Sequence, residues 1–185
     1  MKEVNDFARY LFKNDSSHLL CAHIRRGDFI GFSLEEATKE FILPALEFIT
    51  TYLKNAGHNN LSLLFIGNDL KFVQELNLTN YNFSSIYTPE PLSKGGDMCL
   101  GANYCKSMLI SASGSTYGWW MSYLMPENST VFYNSRMTRN RNEINDKERY
   151  DYNVFLKEWI SLAVENGTAY HEKKWWHERE KEKKN

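Results

Sequence analysis

The sequence predicts an α/β protein in which a parallel sheet is flanked by helices. Short apolar runs of strand length recur along the chain, and segments with apolar residues at helical spacing separate them. Strands that alternate with helices form parallel sheets, because each connecting helix returns the chain to the same end of the sheet. The predicted strands cover residues 18–24, 61–66, 85–87, 107–111 and 130–133.

One helix is predicted before the first strand in the sequence, and another is predicted after it. Apolar residues at helical spacing indicate a short amphipathic helix over 4–12. Ser33, with a glutamate three residues later, forms a capping-box pattern, so we expect a second helix from there to about residue 54. Pro44 lies within that helix and is expected to kink or split it, because proline has no amide hydrogen to donate.

The middle of the chain contains two strands and two shorter helices. The second strand ends at the polar residues Asn68 and Asp69, and a short helix is expected over 70–76. The third strand is followed by prolines, which stop it. A lysine and two glycines over 94–96 predict a turn, after which Asp97 can cap a helix that runs through residue 104.

The last third of the sequence continues the alternation. The segment Ser-Gly-Ser-Thr over 113–116 follows the fourth strand and leads into an apolar helix over 117–125. After the fifth strand, apolar residues at helical spacing predict one more helix over 152–164. We therefore expect a single domain over 1–165, followed by a charged C-terminal tail over 166–185.

The composition excludes several classes of protein. The 185 residues carry a formal net charge of −1, whereas a general nucleic-acid binder needs a basic excess. No apolar run approaches the roughly 18 residues that a membrane-spanning helix needs, and residues 1–6 are too polar for a signal peptide. These observations alone predict a cytosolic protein or a piece of a longer one.

Cysteines and N-glycosylation sequons bear on the compartment in different ways. The three cysteines lack CxxC spacing, so neither a zinc site nor a disulfide framework is expected. Cys21 is predicted to be a buried apolar residue, and a bridge between Cys99 and Cys105 stays open. The sequons favour a lumenal protein, although coincidence in an asparagine-rich chain is an equally good explanation. They begin at Asn14, Asn77, Asn82, Asn128 and Asn166.

Candidate ligand-binding residues follow the predicted strands, where parallel α/β sheets bind their ligands. Arg25 and Arg26 follow the first strand, and their side chains point to opposite sides of an extended segment. One guanidinium can hold phosphate oxygens while the other pairs inward, for example with Asp28. From the residues alone, a structural ion pair without any ligand is the simpler interpretation.

A second candidate follows the fourth strand, where Ser115 and Thr116 precede a helix. Backbone amides at a helix start, with hydroxyls beside them, form a natural phosphate site. A helix N-cap without a ligand explains the same residues equally well. Neither the GxxxxGK[ST] loop nor the GxGxxG fingerprint of nucleotide-binding proteins is present.

Three motifs in order resemble those of the fucosyltransferase superfamily that makes α1,2 and α1,6 linkages and O-fucose. Residues 23–28, His-Ile-Arg-Arg-Gly-Asp, match its HxRRxD motif. Residues 64–69 resemble its second motif and residues 97–120 its third. The pattern is closest to the α1,2-fucosyltransferases of glycosyltransferase family 11, in particular to a fragment of a divergent, nematode-like member, and it covers roughly residues 18–133.

The resemblance implies both a fold and an activity. The chain would be the C-terminal, donor-binding half of a GT-B-type glycosyltransferase, with a Rossmann-like sheet. It would transfer L-fucose from GDP-fucose to the terminal galactose of a glycan, forming an α1,2 linkage with inversion and with no metal or other cofactor. The expected location is the Golgi lumen, within a type II membrane protein whose membrane anchor lies outside this chain. No nucleic-acid partner is expected.

The resemblance also implies which residues bind the donor. Arg25 would contact the β-phosphate, and Ser115 or Thr116 would lie near the phosphates. His23 and Asp97 would lie near the guanosine. The complete predicted donor-binding set is His23, Arg25, Arg26, Asp97, Ser115 and Thr116.

The expected catalytic residues are Arg25, which stabilises the leaving diphosphate, and Asp28. Asp28, Glu35 and Glu36 are the carboxylates that could reach the site, but the resemblance implies no particular general base. A structural role for Asp28 stays equally open, and Arg26 is expected mainly to brace the scaffold. Two alternative functions stay open as well. They are a catalytically inactive sugar-nucleotide-binding module or truncated paralogue, and an α/β domain whose arginines only brace the fold.

Overall fold

A computed structural model describes residues 2–32, 34–137 and 154–174 of the chain. The strands are β1 (His18–Ile24), β2 (Leu61–Gly67), β3 (Ser85–Tyr87), β4 (Ser107–Ile110), β5 (Thr130–Asn134), β6 (Ile160–Glu165) and β7 (Thr168–His171). The helices are α1 (Lys2–Phe12), α2 (Lys39–Asn55), α3 (Leu70–Gln74), α4 (Lys94–Tyr104) and α5 (Thr116–Tyr123), and a short 3₁₀ helix covers Asp28–Phe32.

The seven strands within the described residues form one sheet in the order β3-β2-β1-β4-β5-β6-β7. Neighbouring strands are parallel except for β6 and β7, which are antiparallel. The chain builds outward from β1 to β3 and then crosses back to place β4 on the other side of β1. This is the strand order of a Rossmann-like sheet, in which ligands bind where the order reverses. The predicted α/β fold class is therefore confirmed.

The two faces of the sheet bury two separate apolar cores, because side chains alternate along each strand. Even-numbered residues of β1, such as Leu20 and Ala22, pack with α2 and α3. Odd-numbered residues, such as Leu19 and Cys21, pack with α1, α4 and α5. Because the alternation continues past the end of β1, consecutive residues there reach opposite faces of the protein.

The start of α2 differs from the prediction. The helix begins at Lys39, and its N-cap is Thr38, whose hydroxyl oxygen accepts a hydrogen bond from the amide of Phe41. The predicted cap, Ser33, lies outside the described residues. Pro44 lies inside α2, and the helix continues through it, so the predicted split into two helices is wrong.

The predicted helix over 152–164 is wrong where the structure describes it. Residues 160–165 form β6, which pairs in parallel with β5. The apolar residues that suggested one helical stripe belong to two different cores: Ile160 packs on the α2 face, whereas Phe155 and Trp159 pack on the opposite face. Their spacing matches that of a helix, but the spacing alone does not show which face of the sheet each residue reaches.

The sheet extends beyond the predicted domain boundary at residue 165. β7 lies in the range predicted as tail and pairs antiparallel with β6. The turn between them consists of Asn166 and Gly167, both with positive φ, as Asn-Gly turns in tight hairpins require. Residues 175–185 of the predicted tail lie outside the described residues.

A disulfide joins Cys21 in β1 to Cys105, the C-cap residue of α4. Both cysteines are buried, and their Cα atoms are 5.8 Å apart. The bridge between Cys99 and Cys105 that the sequence left open is therefore not the one formed. Cys21 is buried as predicted, but it is bonded to Cys105. The bridge forms because β4 lies beside β1, so the residues that lead into β4 pass directly over that strand.

Asp15 connects the loop before β1 to two strands of the sheet. Its carboxylate accepts hydrogen bonds from the Ser62 hydroxyl at 2.7 Å, the Tyr87 hydroxyl at 2.8 Å and the Ser17 amide at 2.8 Å. Burial alone would raise the pKa of Asp15, but these hydrogen bonds outweigh it and lower the pKa to about 2. The ionised carboxylate therefore stabilises the folded state.

Asp15→Asn is expected to destabilise the protein in a pH-dependent way. Because the folded-state pKa is about 2 and the ordinary value is 3.8, the stabilisation by Asp15 is complete above pH 3.8 and is lost as the pH falls toward 2. Denaturant unfolding of wild type and variant between pH 2 and neutral pH checks this. The exposed Asp6 on α1 provides a control, Asp6→Asn, for which a smaller difference is expected. A stability difference for Asp15→Asn that is unchanged down to pH 2 would contradict the assignment.

Candidate functional site

A cleft of about 530 Å³ opens at the C-terminal edge of the sheet, where β1 and β4 end side by side. From this point the chain leads into α2 after β1 and into α5 after β4. The lining comes from strand ends, the 3₁₀ helix and the first turns of α4 and α5. It consists of His23, Ile24, Arg25, Phe29, Gly67, Asn68, Pro91, Leu92, Lys94, Asp97, Gly114, Ser115, Thr116 and Tyr117.

Five of the six residues predicted to bind the donor line this cleft. They are His23, Arg25, Asp97, Ser115 and Thr116. They come from separate parts of the sequence and meet because all of them follow, or lie near, the C-terminal ends of parallel strands. The sixth predicted residue, Arg26, is not part of the lining.

Arg25 reaches the cleft because it continues the odd-numbered side of β1. Its guanidinium pairs with the carboxylate of Asp28, and its Cζ atom lies 5.4 Å from the centre of the Phe29 ring. The side chains of Arg25 and Asp28 are 37% and 46% exposed, so the pair lies at the protein surface. Exposed ion pairs contribute only about 0–1 kcal/mol, which leaves Arg25 free to exchange its partner for a bound anion.

Arg26 points to the opposite face and is enclosed by protein groups. Its Nε donates to the carboxylate of Asp69 at 3.2 Å, and its Nη1 donates to the carbonyl of Ala37. The guanidinium also lies 3.5 Å from a carboxylate oxygen of Glu36 and 4.1 Å from the centre of the Phe72 ring. Arg26 therefore braces the end of β1 against α3 and the segment before α2.

The three carboxylates considered as bases lie in different places. Asp28 pairs with Arg25, a residue of the cleft lining. Glu36 is buried and accepts a hydrogen bond from the amide of Gly27 at 3.2 Å, on the Arg26 side. Glu35 lies 3.7 Å from the guanidinium of Arg136. Asp28 is therefore the best placed of the three to reach a molecule in the cleft.

His23 is buried at the floor of the cleft, with 2% of its surface exposed. Burial and the nearby positive charge of Arg25 lower its pKa to about 4, so the imidazole is neutral at neutral pH. Among the described residues, its buried Nδ1 has no hydrogen-bond partner. The ring packs against α5 at Gly118, where a Cβ atom would lie only 2.7 Å from Nδ1. A glycine is therefore required for His23 to keep this position.

The first turn of α5 borders the cleft. Ser115 is the N-cap, and its buried hydroxyl accepts a hydrogen bond from the amide of Gly118 at 3.3 Å, so the predicted N-cap is confirmed. Thr116 is the first helical residue and is exposed. The first amides of a helix have no partner within the helix and carry the positive end of its dipole. This end of α5 can therefore hold an anion.

The first turn of α4 borders the cleft on its other side. The helix begins at Lys94 with Ser93 as its N-cap, so the predicted cap at Asp97 and the predicted turn over 94–96 are wrong. Asp97 lies in the first turn and accepts a hydrogen bond from the amide of Leu92 at 3.0 Å. The Tyr117 hydroxyl donates to the carbonyl of Lys94 at 2.5 Å, which ties the starts of α4 and α5 together.

The pKa values of Asp97 and Tyr117 are both raised, which favours the neutral form of each side chain. Burial raises the pKa of Asp97, although the Leu92 amide acts against this rise. Burial, together with the negative charge of Asp97, raises the pKa of Tyr117 to about 12. Tyr117 therefore stays protonated at any physiological pH, and its hydroxyl donates a hydrogen bond to the backbone carbonyl of Lys94.

The predicted donor-binding set did not include several residues of the lining, among them Phe29, Lys94 and Tyr117. The sequence predicted a turn at Lys94 and an apolar helix that starts at Tyr117. A signal for Lys94 was available, because this lysine precedes the third motif by three residues and lies close to the predicted edge of the sheet. Phe29 directly follows the first motif, and its place in the lining depends on the 3₁₀ helix that starts at Asp28.

Two structural features are absent from the described residues: a cluster of metal-ligating side chains and a membrane-spanning helix. Within residues 2–32, 34–137 and 154–174, no group of three or more His, Cys, Asp or Glu side chains is arranged to hold a metal ion. None of the helices described there is both long enough and apolar enough to cross a membrane.

Comparison with known proteins identifies the family. Residues 2–163 match glycosyl transferase family 11. Two proteins of Caenorhabditis elegans, each named galactoside 2-alpha-L-fucosyltransferase, are 26% identical over 178 residues and 29% identical over 151 residues. The matches cover 83% and 78% of this chain, but only 43% and 39% of the relatives, so the chain spans less than half of their length. No solved structure matches. The chain therefore belongs to glycosyl transferase family 11.

Proposed function

We propose that this protein transfers L-fucose from GDP-fucose to the terminal galactose of a glycan, forming an α1,2 linkage with inversion and without a metal ion. The observation that carries the proposal is the cleft between β1 and β4, where Arg25 meets the first turns of α4 and α5. The names of the relatives support the linkage and the acceptor. The cleft would be the donor site of a GT-B-type enzyme.

The diphosphate of the donor fits the side of the cleft near Arg25. The guanidinium offers paired N–H donors that match phosphate oxygens, and the start of α5 adds backbone amides next to Ser115 and Thr116. Donor binding would replace the carboxylate of Asp28 as the partner of Arg25. Both partners are anionic, so the β-phosphate can replace the Asp28 carboxylate at the Arg25 guanidinium.

The nucleoside fits the opposite side, toward α4. Phe29, Leu92 and Tyr117 provide apolar surface for a base, and Asp97 and His23 are the polar groups beside it. Guanine carries N–H donors at N1 and N2, and a carboxylate such as Asp97 can accept from both. The neutral imidazole of His23 has one nitrogen that donates and one that accepts.

The chemistry needs charge stabilisation on one side and proton removal on the other. The bond between the fucose C1 and the β-phosphate oxygen breaks while the acceptor hydroxyl oxygen bonds to C1 from the opposite face. Negative charge grows on the departing GDP, and Arg25 with the two helix starts would stabilise it. The sugar passes through an oxocarbenium-like state. Asp28 would accept the proton of the acceptor hydroxyl once donor binding has released it from Arg25.

Lys94 is expected to contribute a second positive charge to donor binding. It lines the cleft at the start of α4 and, among the described residues, has no acidic partner within 4.0 Å. Hydrogen bonds to charged groups contribute about 1.5–3 kcal/mol, which corresponds to roughly 10-fold to 100-fold in affinity. Lys94→Ala should weaken GDP binding by that factor, and Lys94→Arg should weaken it less. Calorimetric titration checks this, with the exposed Lys71→Ala on α3 as the control. Equal GDP affinities of wild type and Lys94→Ala would contradict the role.

Two features of the chain support a location in the secretory pathway, for which we propose the Golgi lumen. The bridge between Cys21 and Cys105 is of the kind that persists in oxidising compartments. All five sequon asparagines are exposed, as lumenal glycosylation requires. The sequence alone did not predict this bridge, and it left coincidence as an equally good explanation of the sequons.

Transfer of labelled fucose from GDP-fucose to a β-galactoside tests the proposal. We expect a product that an α1,2-specific fucosidase cleaves, formed at the same rate with and without a metal chelator. The alternative is a non-catalytic module that binds the sugar nucleotide, because the residues that line the cleft account for nucleotide binding without requiring transfer. Saturable GDP binding without any transfer would assign the chain to that alternative.

A further inference from the structure

Three N-glycosylation sequons lie at the N-terminal edge of the sheet, opposite the cleft. Asn14 precedes β1 by four residues, Asn82 precedes β3 by three, and Asn128 precedes β5 by two. Because these strands are parallel, their starts lie along one edge. We infer that this edge is a glycan-bearing face, with N-linked oligosaccharides on Asn14, Asn82 and Asn128. The inference rests on the lumenal location in the proposed function.

The local structure turns the Asn14 side chain toward solvent. The preceding Lys13 has a φ of 46°, so the chain turns sharply after α1. The following Asp15 points inward and is held by Ser62 and Tyr87. Asn14 lies between Lys13 and Asp15 in the chain and is exposed. The loop is therefore anchored by its neighbour and leaves the asparagine free to carry a bulky group.

The same arrangement occurs at the other two sites. Asn82 is exposed between Tyr81 and Phe83, whose rings stack 6.2 Å apart and pack on the α2 face of the core. Asn128 is exposed in the turn after α5, where the amide of Ser129 donates to the carbonyl of Pro126 at 2.9 Å. In both cases, neighbouring residues hold the backbone while the asparagine faces solvent.

The depth of the sheet separates this face from the cleft. β1 contains seven residues and, at about 3.3 Å per residue, spans roughly 23 Å from one edge to the other. Oligosaccharides at the strand starts therefore extend away from the donor site. The other two sequons are not directly before a strand of this edge: Asn77 follows α3, and Asn166 lies in the β6–β7 turn at the C-terminal end of β6.

The modification is a group transfer from a lipid-linked oligosaccharide diphosphate in the lumen. The bond between the first sugar carbon and the phosphate oxygen breaks, and that carbon bonds to Nδ2 of asparagine. Nδ2 loses one proton, and the lipid diphosphate leaves. The hydroxyl residue two positions after each asparagine, which completes the sequon, is Ser16, Ser84 or Thr130.

The test is expression of the 185-residue chain behind a secretion signal in a eukaryotic cell line. Release of N-glycans by peptide N-glycosidase in ¹⁸O-water converts each modified asparagine to labelled aspartate, which peptide mass spectrometry locates. We expect label at Asn14, Asn82 and Asn128. Asn128→Gln should remove one glycan, and Thr130→Ala, which keeps the asparagine, should remove the same one. Absence of label at any of the three sites in the secreted protein would overturn the inference.

GDP titration before and after glycan removal gives an independent readout. Equal affinities are expected, because the glycans lie at the edge opposite the cleft. A GDP affinity that changes on deglycosylation would contradict the separation of the two faces. Label at all three sites without GDP binding would refute the proposed function and leave the glycan-bearing face standing.

Discussion

Arg25→Ala should lower fucose transfer by about 10²–10³, the typical cost of removing one preorganised group that stabilises developing charge. Arg25 lines the cleft, and its ion pair with Asp28 is exposed. An incoming diphosphate can therefore replace Asp28 as the partner of the guanidinium. Arg25→Lys should fail almost as severely, because an ammonium group lacks the planar pair of donors that matches phosphate oxygens. Steady-state rates with GDP-fucose and a β-galactoside, together with GDP affinities, measure both effects.

Arg9→Ala is the matched control for these variants. Arg9 lies on α1, is 82% exposed and pairs only weakly with Asp6 at 3.9 Å. Its removal should leave both the transfer rate and GDP affinity unchanged. Near-normal turnover of either Arg25 variant would mean that the diphosphate does not bind at this arginine.

Loss of the disulfide between Cys21 and Cys105 should produce the largest change in stability. The bridge closes a loop with a sequence separation of 84 residues, and the chain-entropy relation gives about 4–5 kcal/mol for a loop of that length. That is a large fraction of the roughly 5–15 kcal/mol that stabilises a typical domain. Denaturant unfolding of the oxidised protein, the reduced protein and Cys21→Ala/Cys105→Ala checks this expectation.

The comparison of the oxidised and reduced wild-type protein separates the bridge from packing effects, since both forms keep the same side chains. Cys99→Ala is the control, because Cys99 is outside the bridge, and we expect a much smaller change. If reduction left the unfolding midpoint of the wild type unchanged, the disulfide would not be contributing as described.

The sheet was largely predictable because its central strands are continuous apolar runs. β1 and β2 are buried on both faces, and such strands need no partner to be recognised in a sequence. β6 was missed because its apolar residues continue a helical spacing that begins with Phe155 and Trp159. Those two residues precede the strand and pack in the other core, whereas β6 pairs with β5 and packs on the α2 face. The disulfide was missed because its cysteines are far apart in the sequence, and strand order alone brings them together.

The candidate site was predictable in position but not in detail. His23, Arg25 and Asp97 meet because each lies at or near the C-terminal end of a parallel strand. Ligands of parallel α/β sheets bind at this edge, so the position of the site could be predicted. The division of roles between Arg25 and Arg26 follows from the alternation of side chains. The particular partners do not follow from it: Asp28 pairs with Arg25 rather than Arg26, since the 3₁₀ helix turns it toward the cleft.

Calorimetric titration of GDP into the wild-type chain and Arg25→Ala tests most directly whether the cleft between β1 and β4 is a nucleotide diphosphate site. The wild type should bind one GDP saturably, and the variant should show no saturable binding over the same concentration range. A wild type that does not bind GDP, or a variant that binds it as tightly as the wild type, would contradict the assignment of the cleft.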